Sequence, residues 1–231
     1  LASRTGIGTL KQRSGKINEK EYEELDDARR NLQAAGNFKI ISRKLTIEEI
    51  FDYARSYKAA HGSLAGIAVD HLGLLRPLKG GGRKDWEVAA EASPIMKEIA
   101  EELDCVAVSL SQLKKEDLYG RNFEERMKSC KRIPNADDLK GSIANDADHV
   151  IMPFREAALL SKIEPAKDTE DHLLWKERLD QVKDKGQIRL ALSRESIWPK
   201  TMPVYWDGPK TRFLEMRQTH NGNELFEEGL F

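Results

Sequence analysis

The sequence predicts an α/β fold with a mostly parallel central sheet, flanking helices and antiparallel strands at the C-terminal edge. Three observations carry this. Helical stretches alternate with short apolar runs through the first half of the chain, the order produced by βαβ units. Runs such as IAV at 67–69 and VAVSL at 106–110 are apolar at consecutive positions, as in strands covered on both faces by helices. Of three later runs, the last ones are joined by short turns, which favours antiparallel neighbours at one sheet edge.

Taken in order, Asn18 and Glu21 have capping-box spacing, and Tyr22, Leu25, Ala28 and Leu32 recur at helical intervals up to Gly36. FKIIS at 38–42 reads as a short strand. Thr46 and Glu49 open a second capped helix with Ile47, Ile50, Phe51, Ala54 and Tyr57 on one face, ending near Gly62. GIAVDHLGLL at 66–75 is a strand that ends on an acid, followed by a Gly-rich loop, KGGGRKD, and a helix over 86–103. Pro94 falls inside that helix, and a restart with Ser93 as cap and Pro94 at the first position is expected. CVAVSLSQL follows as the next strand; HVIMPF, QIRLALS and MPVYWD are three more. Between them, a charged helical segment near 156–186 is too polar to be core all round.

With 231 residues, 39% of them hydrophobic, the chain can build one sizeable domain. Lys and Arg total 38 against 39 for Asp and Glu, so net charge points to no nucleic-acid or membrane partner, and any basic site is local. Cys105 and Cys130 have no metal-type spacing, and the five histidines show no ligand pattern. A reducing, cytoplasmic setting is expected. No apolar stretch approaches the ~20 residues that cross a bilayer, and no charged-then-apolar leader opens the chain. The first residue is Leu1, so the gene product is expected to begin earlier.

In open parallel sheets, ligands collect beyond the carboxyl ends of the strands, where Asp70 stands. An acid there can hold Mg2+, directly or through water, or simply cap the next turn. The next strand ends in SLSQL, placing Gln112 where a neutral amide can bond a phosphate oxygen or a water. An acid ending one strand and an amide ending the next form a pair.

GIAVDHLGLL, EIAEELDCVAVSLSQLKK and IPNADDLKGSIANDADHVIMPFR resemble, in order and spacing, the RecA-like ATPase domain of DnaB-type replicative DNA helicases. The resemblance implies a RecA-like P-loop NTPase core over residues 1–217, interrupted by the 156–186 insertion and followed by a tail at 218–231. It gives Asp70 the Walker B place, as the residue that holds Mg2+ through water beside ATP, with His71 and Gly73 departing from the family's usual residues. Gln112 takes the place of the glutamine that senses the terminal phosphate. Lys140, Gly141 and Ser142 take the place of the loop that holds single-stranded DNA, with Arg83 and Lys84 as further contacts. The run Arg121, Arg126, Lys128, Lys131 and Arg132 adds positive charge nearby.

The resemblance also makes Arg194 the arginine that reaches the nucleotide of an adjacent subunit in a hexameric ring. The family's companion Lys is Leu192 here. Primase or a helicase loader is an implied partner. A phosphate-binding loop ending in GK[ST] is not found in the chain, and KGGGRK follows the acid-tipped strand instead of preceding it. This resembles an N-terminally truncated motor domain, inactive by itself. The alternative is a non-catalytic RecA-like module that binds DNA or a partner; a RecA-like recombination ATPase fits the Asp146-Ala147-Asp148 stretch less well. Trp175, Trp198 and Trp206 are expected to pack. The acidic NELFEEGLF tail reads as either a docking peptide or a frayed end.

Overall fold

A computed structural model describes residues 1–78, 82–114, 122–141, 143–218 and 224–226. Two short helices, α1 (Ala2–Thr5) and α2 (Thr9–Arg13), lead into α3 (Glu19–Ala34). The expected capping box starts α3: Glu21 N–H donates to Asn18 Oδ1 at 2.9 Å and Asn18 N–H to Glu21 Oε2 at 2.9 Å. No side chain of α3 is buried. FKIIS forms no strand. It has no ladder partner among the described residues, and Ile40 is 78% exposed, so its apolar alternation has nothing to pack against.

The second capping box, Thr46 with Glu49, starts α4 (Ile47–His61), which ends at Gly62 in the left-handed region at φ 77°. Its buried face, Ile47, Phe51 and Ala54, packs into the main core. Then β1 (Gly66–Val69), α5 (Asp85–Leu103) and β2 (Val106–Ser109) form one βαβ unit, with Gly66 opposite Val106 and Val69 opposite Ser109 in a parallel pair. Gly66 is required there, because a Cβ would stand 2.7 Å from the Val106 carbonyl oxygen.

The expected restart inside α5 does not occur. The helix runs through Pro94, whose ring lies on the exposed side, while buried Ser93 donates to the Ile143 carbonyl at 3.4 Å instead of capping. Coverage of the parallel strands is one-sided: Val106 is 66% and Val108 47% exposed, so the consecutive apolar run does not mark burial on both faces within this chain.

After α6 (Phe123–Cys130) come β3 (His149–Phe154), α7 (Glu156–Leu160), α8 (Glu170–Val182), β4 (Lys185–Ser193), β5 (Lys200–Asp207), β6 (Arg212–Gln218) and β7 (Glu224–Phe226). Strands β3 to β7 pair antiparallel in chain order and form a sheet of their own beside the β1–β2 pair. Among the described residues the parallel part is thus two strands and the antiparallel part five. The 156–186 segment is helical as expected. It closes a second core with α6, where Cys130 and Leu160 are fully buried and Trp175 Nε1–H donates to the Leu160 carbonyl at 2.9 Å. Trp175 therefore packs. Part of the expected tail, residues 224–226, is the edge strand β7. Cys105 and Cys130 are not joined in a disulfide, and no helix among the described residues is long and apolar enough to cross a membrane.

Candidate functional site

Parallel register brings the ends of β1 and β2 to one edge. Leu110 N–H donates to the Val69 carbonyl at 3.0 Å, and Leu72 N–H to the Leu110 carbonyl at 3.1 Å, so the chain following each strand is tied to its neighbour. Asp70 leaves β1 exposed, and its carboxylate bonds no described residue. Gln112 follows β2, and its Nε2 lies 3.3 Å from His71 Nε2. The acid and the amide read from the sequence are therefore neighbours on one sheet edge.

Lys140 completes the group. Its Nζ donates to Gln112 Oε1 at 3.4 Å and its backbone N–H to the Gln112 carbonyl at 3.3 Å, while Leu113 and Leu139 form a β-bridge. The loop is anchored from behind by Asp138, which accepts from Arg132 at 2.7 Å and from the Asn135 N–H at 2.7 Å. Burial pushes the Asp138 carboxyl up, but Arg132 and the Asn135 N–H outweigh it and hold it below its ordinary range. Gly141, at φ 75°, lies against the first turn of α5, where a Cβ would stand 2.7 Å from the Trp86 carbonyl oxygen. Ser142 and Arg121 lie outside the described residues.

His71, Gly73, Trp86, Ser111, Gln112 and Lys140 line a cleft with room for about one water molecule. These residues alone do not enclose a nucleotide. Among the described residues no three His, Cys, Asp or Glu side chains gather as a metal site. Asp70 by itself suits Mg2+, an ion that keeps several waters and takes one or two carboxylates plus phosphate oxygens.

The other expected residues are distributed differently. Arg83 is paired to Glu91 at 2.8 Å, which offsets its charge; Lys84 gives its backbone N–H to Glu87 at 2.7 Å at the start of α5. Arg132 is committed to Asp138, and Arg126 lies 5.8 Å from the Phe123 ring centroid. Arg194 directly follows β4 on the second sheet, its guanidinium on the Asn145 carbonyl and 4.0 Å from Asp148. It joins the Asp146-Ala147-Asp148 segment and not the Asp70–Gln112 pair. Asp148 also accepts two bonds of 2.7 Å from Lys97 on α5. That hydrogen-bonded ammonium, ahead of the burial that opposes it, holds the Asp148 carboxyl below its usual range.

Two participants were not singled out from sequence. His71 bonds a residue 41 positions away, and Lys97 one 51 positions away; neither spacing is a local pattern. The sequence signals for His71 were its place beside the strand-end acid and its departure from the residue usual in the family it resembles.

Comparison with known proteins adds the following. Residues 1–197 match the family described as the DnaB-like helicase C terminal domain. The replicative DNA helicase DnaB of Rickettsia conorii (strain ATCC VR-613 / Malish 7) is 30% identical over 221 residues, covering 94% of this chain and 42% of that protein. The protein of the same name from Buchnera aphidicola subsp. Acyrthosiphon pisum (strain APS) is 28% identical over 195 residues, covering 84% of this chain and 40% of that protein. The chain thus spans about 42% of the length of the first of these relatives. Among solved structures, one described as an ATPase domain superposes with a TM-score of 0.65 at 20% identity, covering 94% of this chain and 68% of that one. A DnaB-like replicative helicase, described with its interactions with primase, superposes with a TM-score of 0.68 at 20% identity over 94% of this chain and 47% of that one. Both structures share this chain's fold, a RecA-like α/β core.

Proposed function

Because the chain belongs to the DnaB-like helicase C-terminal domain family, we propose that it is the motor part of a replicative DNA helicase, a cytoplasmic hexameric ring that hydrolyses ATP while moving along single-stranded DNA. The observation that carries this is the direct bond between Gln112, at the end of β2, and Lys140, on the loop read from the sequence as resembling the family's DNA-holding loop. It joins a phosphate-sensing position to a phosphate-binding one.

In this reading Asp70 holds Mg2+ through water, and the ion offsets charge on the nucleotide phosphates. Gln112 presents its amide to the terminal phosphate or to the water beside it. Lys140, Gly141 and Ser142 hold the DNA backbone with charge and N–H groups, a mode that reads phosphate spacing and not base identity; Lys84 and, once freed of Glu91, Arg83 add to it. Arg194 leaves Asn145 and Asp148 and crosses to a neighbouring subunit, where its fixed guanidinium offsets charge on the transferred phosphoryl group. Leu192 adds no second charge there. The chain has no phosphate loop of its own, so activity belongs to a longer gene product, in keeping with the 42% of the relatives that it spans. Primase or a loader is the expected protein partner.

The lack of a GK[ST] loop and the water-sized cleft favour a second reading, a non-catalytic RecA-like module that binds DNA or a replication partner. ATP turnover, measured with and without single-stranded DNA on this chain and on the longer gene product, separates the two. Activity confined to the longer form supports the motor; silence in both with DNA binding retained supports the module. Arg194→Ala in the longer form is expected to lower DNA-stimulated turnover by about 10³-fold, the scale of an arginine finger, and undiminished turnover would remove the trans role.

A further inference from the structure

We propose that His71 is a positioning residue, whose imidazole sets the direction of the Gln112 amide so that the strand end and the Lys140 loop respond as one unit. The inference deepens the motor reading and rests on it.

An ammonium can only donate, so the 3.4 Å contact from Lys140 Nζ fixes the oxygen of the Gln112 amide on that side. The NH2 group then faces His71 Nε2 at 3.3 Å. For that contact to be a hydrogen bond, His71 Nε2 must offer its lone pair, which places the imidazole proton on Nδ1. Both contacts lie at the long end of the hydrogen-bond range, so they orient the amide without locking it. Asp85 and Lys140 are the charged side chains that share the cleft with the imidazole, and Asp70 precedes it in the chain.

Gly73 makes room for the ring. A Cβ at that position would stand 3.2 Å from His71 Cε1 and 2.9 Å from Asp85 Cβ. The two residues at which the acid-tipped strand departs from its family resemblance, His71 and Gly73, are thus in contact and matched in size.

The terminal amide torsion of glutamine has broad, roughly two-fold preferences, so Gln112 turns easily unless both ends are held. When a DNA phosphate draws the Lys140 ammonium away, Gln112 Oε1 loses its donor, while His71 keeps the NH2 end in place. The oxygen is left free to accept from a water or another donor at the strand end. Without His71, the amide turns and DNA contact at Lys140 no longer determines where Oε1 points.

The test uses the full-length gene product, with ATP turnover measured at zero and saturating single-stranded DNA, and DNA affinity by fluorescence anisotropy. His71→Phe keeps a flat ring and removes the acceptor. The ratio of stimulated to unstimulated turnover is expected to fall about fivefold, the lower end of coupling between sites. DNA affinity should stay within about twofold of the parent, the usual scatter for uncoupled changes. His71→Gln returns an acceptor and should restore the ratio. Should His71→Phe not fold, Gly73→Ala, which crowds the ring, is expected to lower the ratio in the same direction. In a Lys140→Met background, His71→Phe should cause no further loss, since the relay is already broken. An unchanged ratio in His71→Phe, no recovery in His71→Gln, or losses that add in the double variant would overturn the proposal while leaving the motor reading in place. A parent protein with no DNA-stimulated turnover would overturn both.

Discussion

Gly141 shows how a residue expected to touch nucleic acid is first constrained by its own chain. Its φ of 75° lies in the left-handed region, and a Cβ would meet the Trp86 backbone oxygen at 2.7 Å, an atom that cannot swing aside as a side-chain tip can. Gly141→Ala is therefore expected to cost about 2 kcal/mol of stability, from strain and overlap together, readable as a lower urea midpoint at unchanged slope. A loss below about 0.5 kcal/mol, the level of ordinary surface substitutions, would mean that the loop shifts freely. Because the same loop carries Lys140 onto Gln112, the substitution should weaken single-stranded DNA binding even though alanine keeps the backbone N–H. Part of this was legible in the sequence: Asp70 and Gln112 were identified by their places at the ends of apolar runs, and β1 and β2 do end on one edge, where His71 and not Asp70 faces Gln112. Their partners were not, because His71–Gln112 and Gln112–Lys140 span 41 and 28 positions, and only the folded register decides which side chains face each other.

At the scale of elements, the capping boxes, the parallel βαβ pair and the antiparallel late strands held, while FKIIS and Pro94 departed from expectation. Asn18 with Glu21 and Thr46 with Glu49 start their helices where expected, because a capping box involves residues three apart and no tertiary partner. FKIIS needed a neighbouring strand and has none among the described residues; the late strands pair antiparallel as expected, but in a sheet separate from the β1–β2 pair. Pro94 misled for a physical reason. Proline inside a helix removes one hydrogen bond and crowds the carbonyl four residues earlier, yet α5 continues because Ala92, Ser93, Met96 and Ile99 bury one face against the core and that packing outweighs the local cost. Since Pro94 itself is exposed, Pro94→Ala should restore the bond to the Ala90 carbonyl. The helix-interior gain of about 3 kcal/mol, reduced by ~1 kcal/mol for a looser unfolded chain, and further if the helix is already relaxed around the ring, predicts a net stabilisation of ~1 kcal/mol or more. A higher thermal midpoint would show it; a lower one would mean that Pro94 is needed to seat Ser93 on Ile143.

Across the whole molecule, α5 is the beam between the two sheets. It covers the β1–β2 pair through the main core, and it reaches the second sheet through Ser93 on Ile143 and Lys97 on Asp148, at the entrance to β3. The ion pair sets a pH window. Lys97 holds the Asp148 carboxyl below its ordinary range, so the folded chain binds fewer protons there than the unfolded chain does. That contribution is complete above the unfolded carboxylate pKa and is lost as pH falls through the folded one. The Lys97 ammonium is raised, by its bond to Asp148 first, so its share is complete below the unfolded lysine value and lost as pH rises through the folded one. Both partners are open to solvent, with side chains 30% and 42% exposed, and screening keeps the effect modest. Lys97→Met retains most of the apolar stem and removes the charge. The variant should therefore melt lower than the parent at neutral pH, and the difference should shrink as pH falls below the ordinary aspartate range and close once pH has passed through the lowered folded value of Asp148. A gap that persists in acid would assign the loss to packing of the stem instead of to charge. Asp148 also faces Arg194, the residue proposed to cross to a neighbour. Freed of Lys97, its carboxylate should hold that guanidinium more tightly, so the same variant is expected to slow DNA-stimulated turnover in the assembled protein although residue 97 lies outside the site.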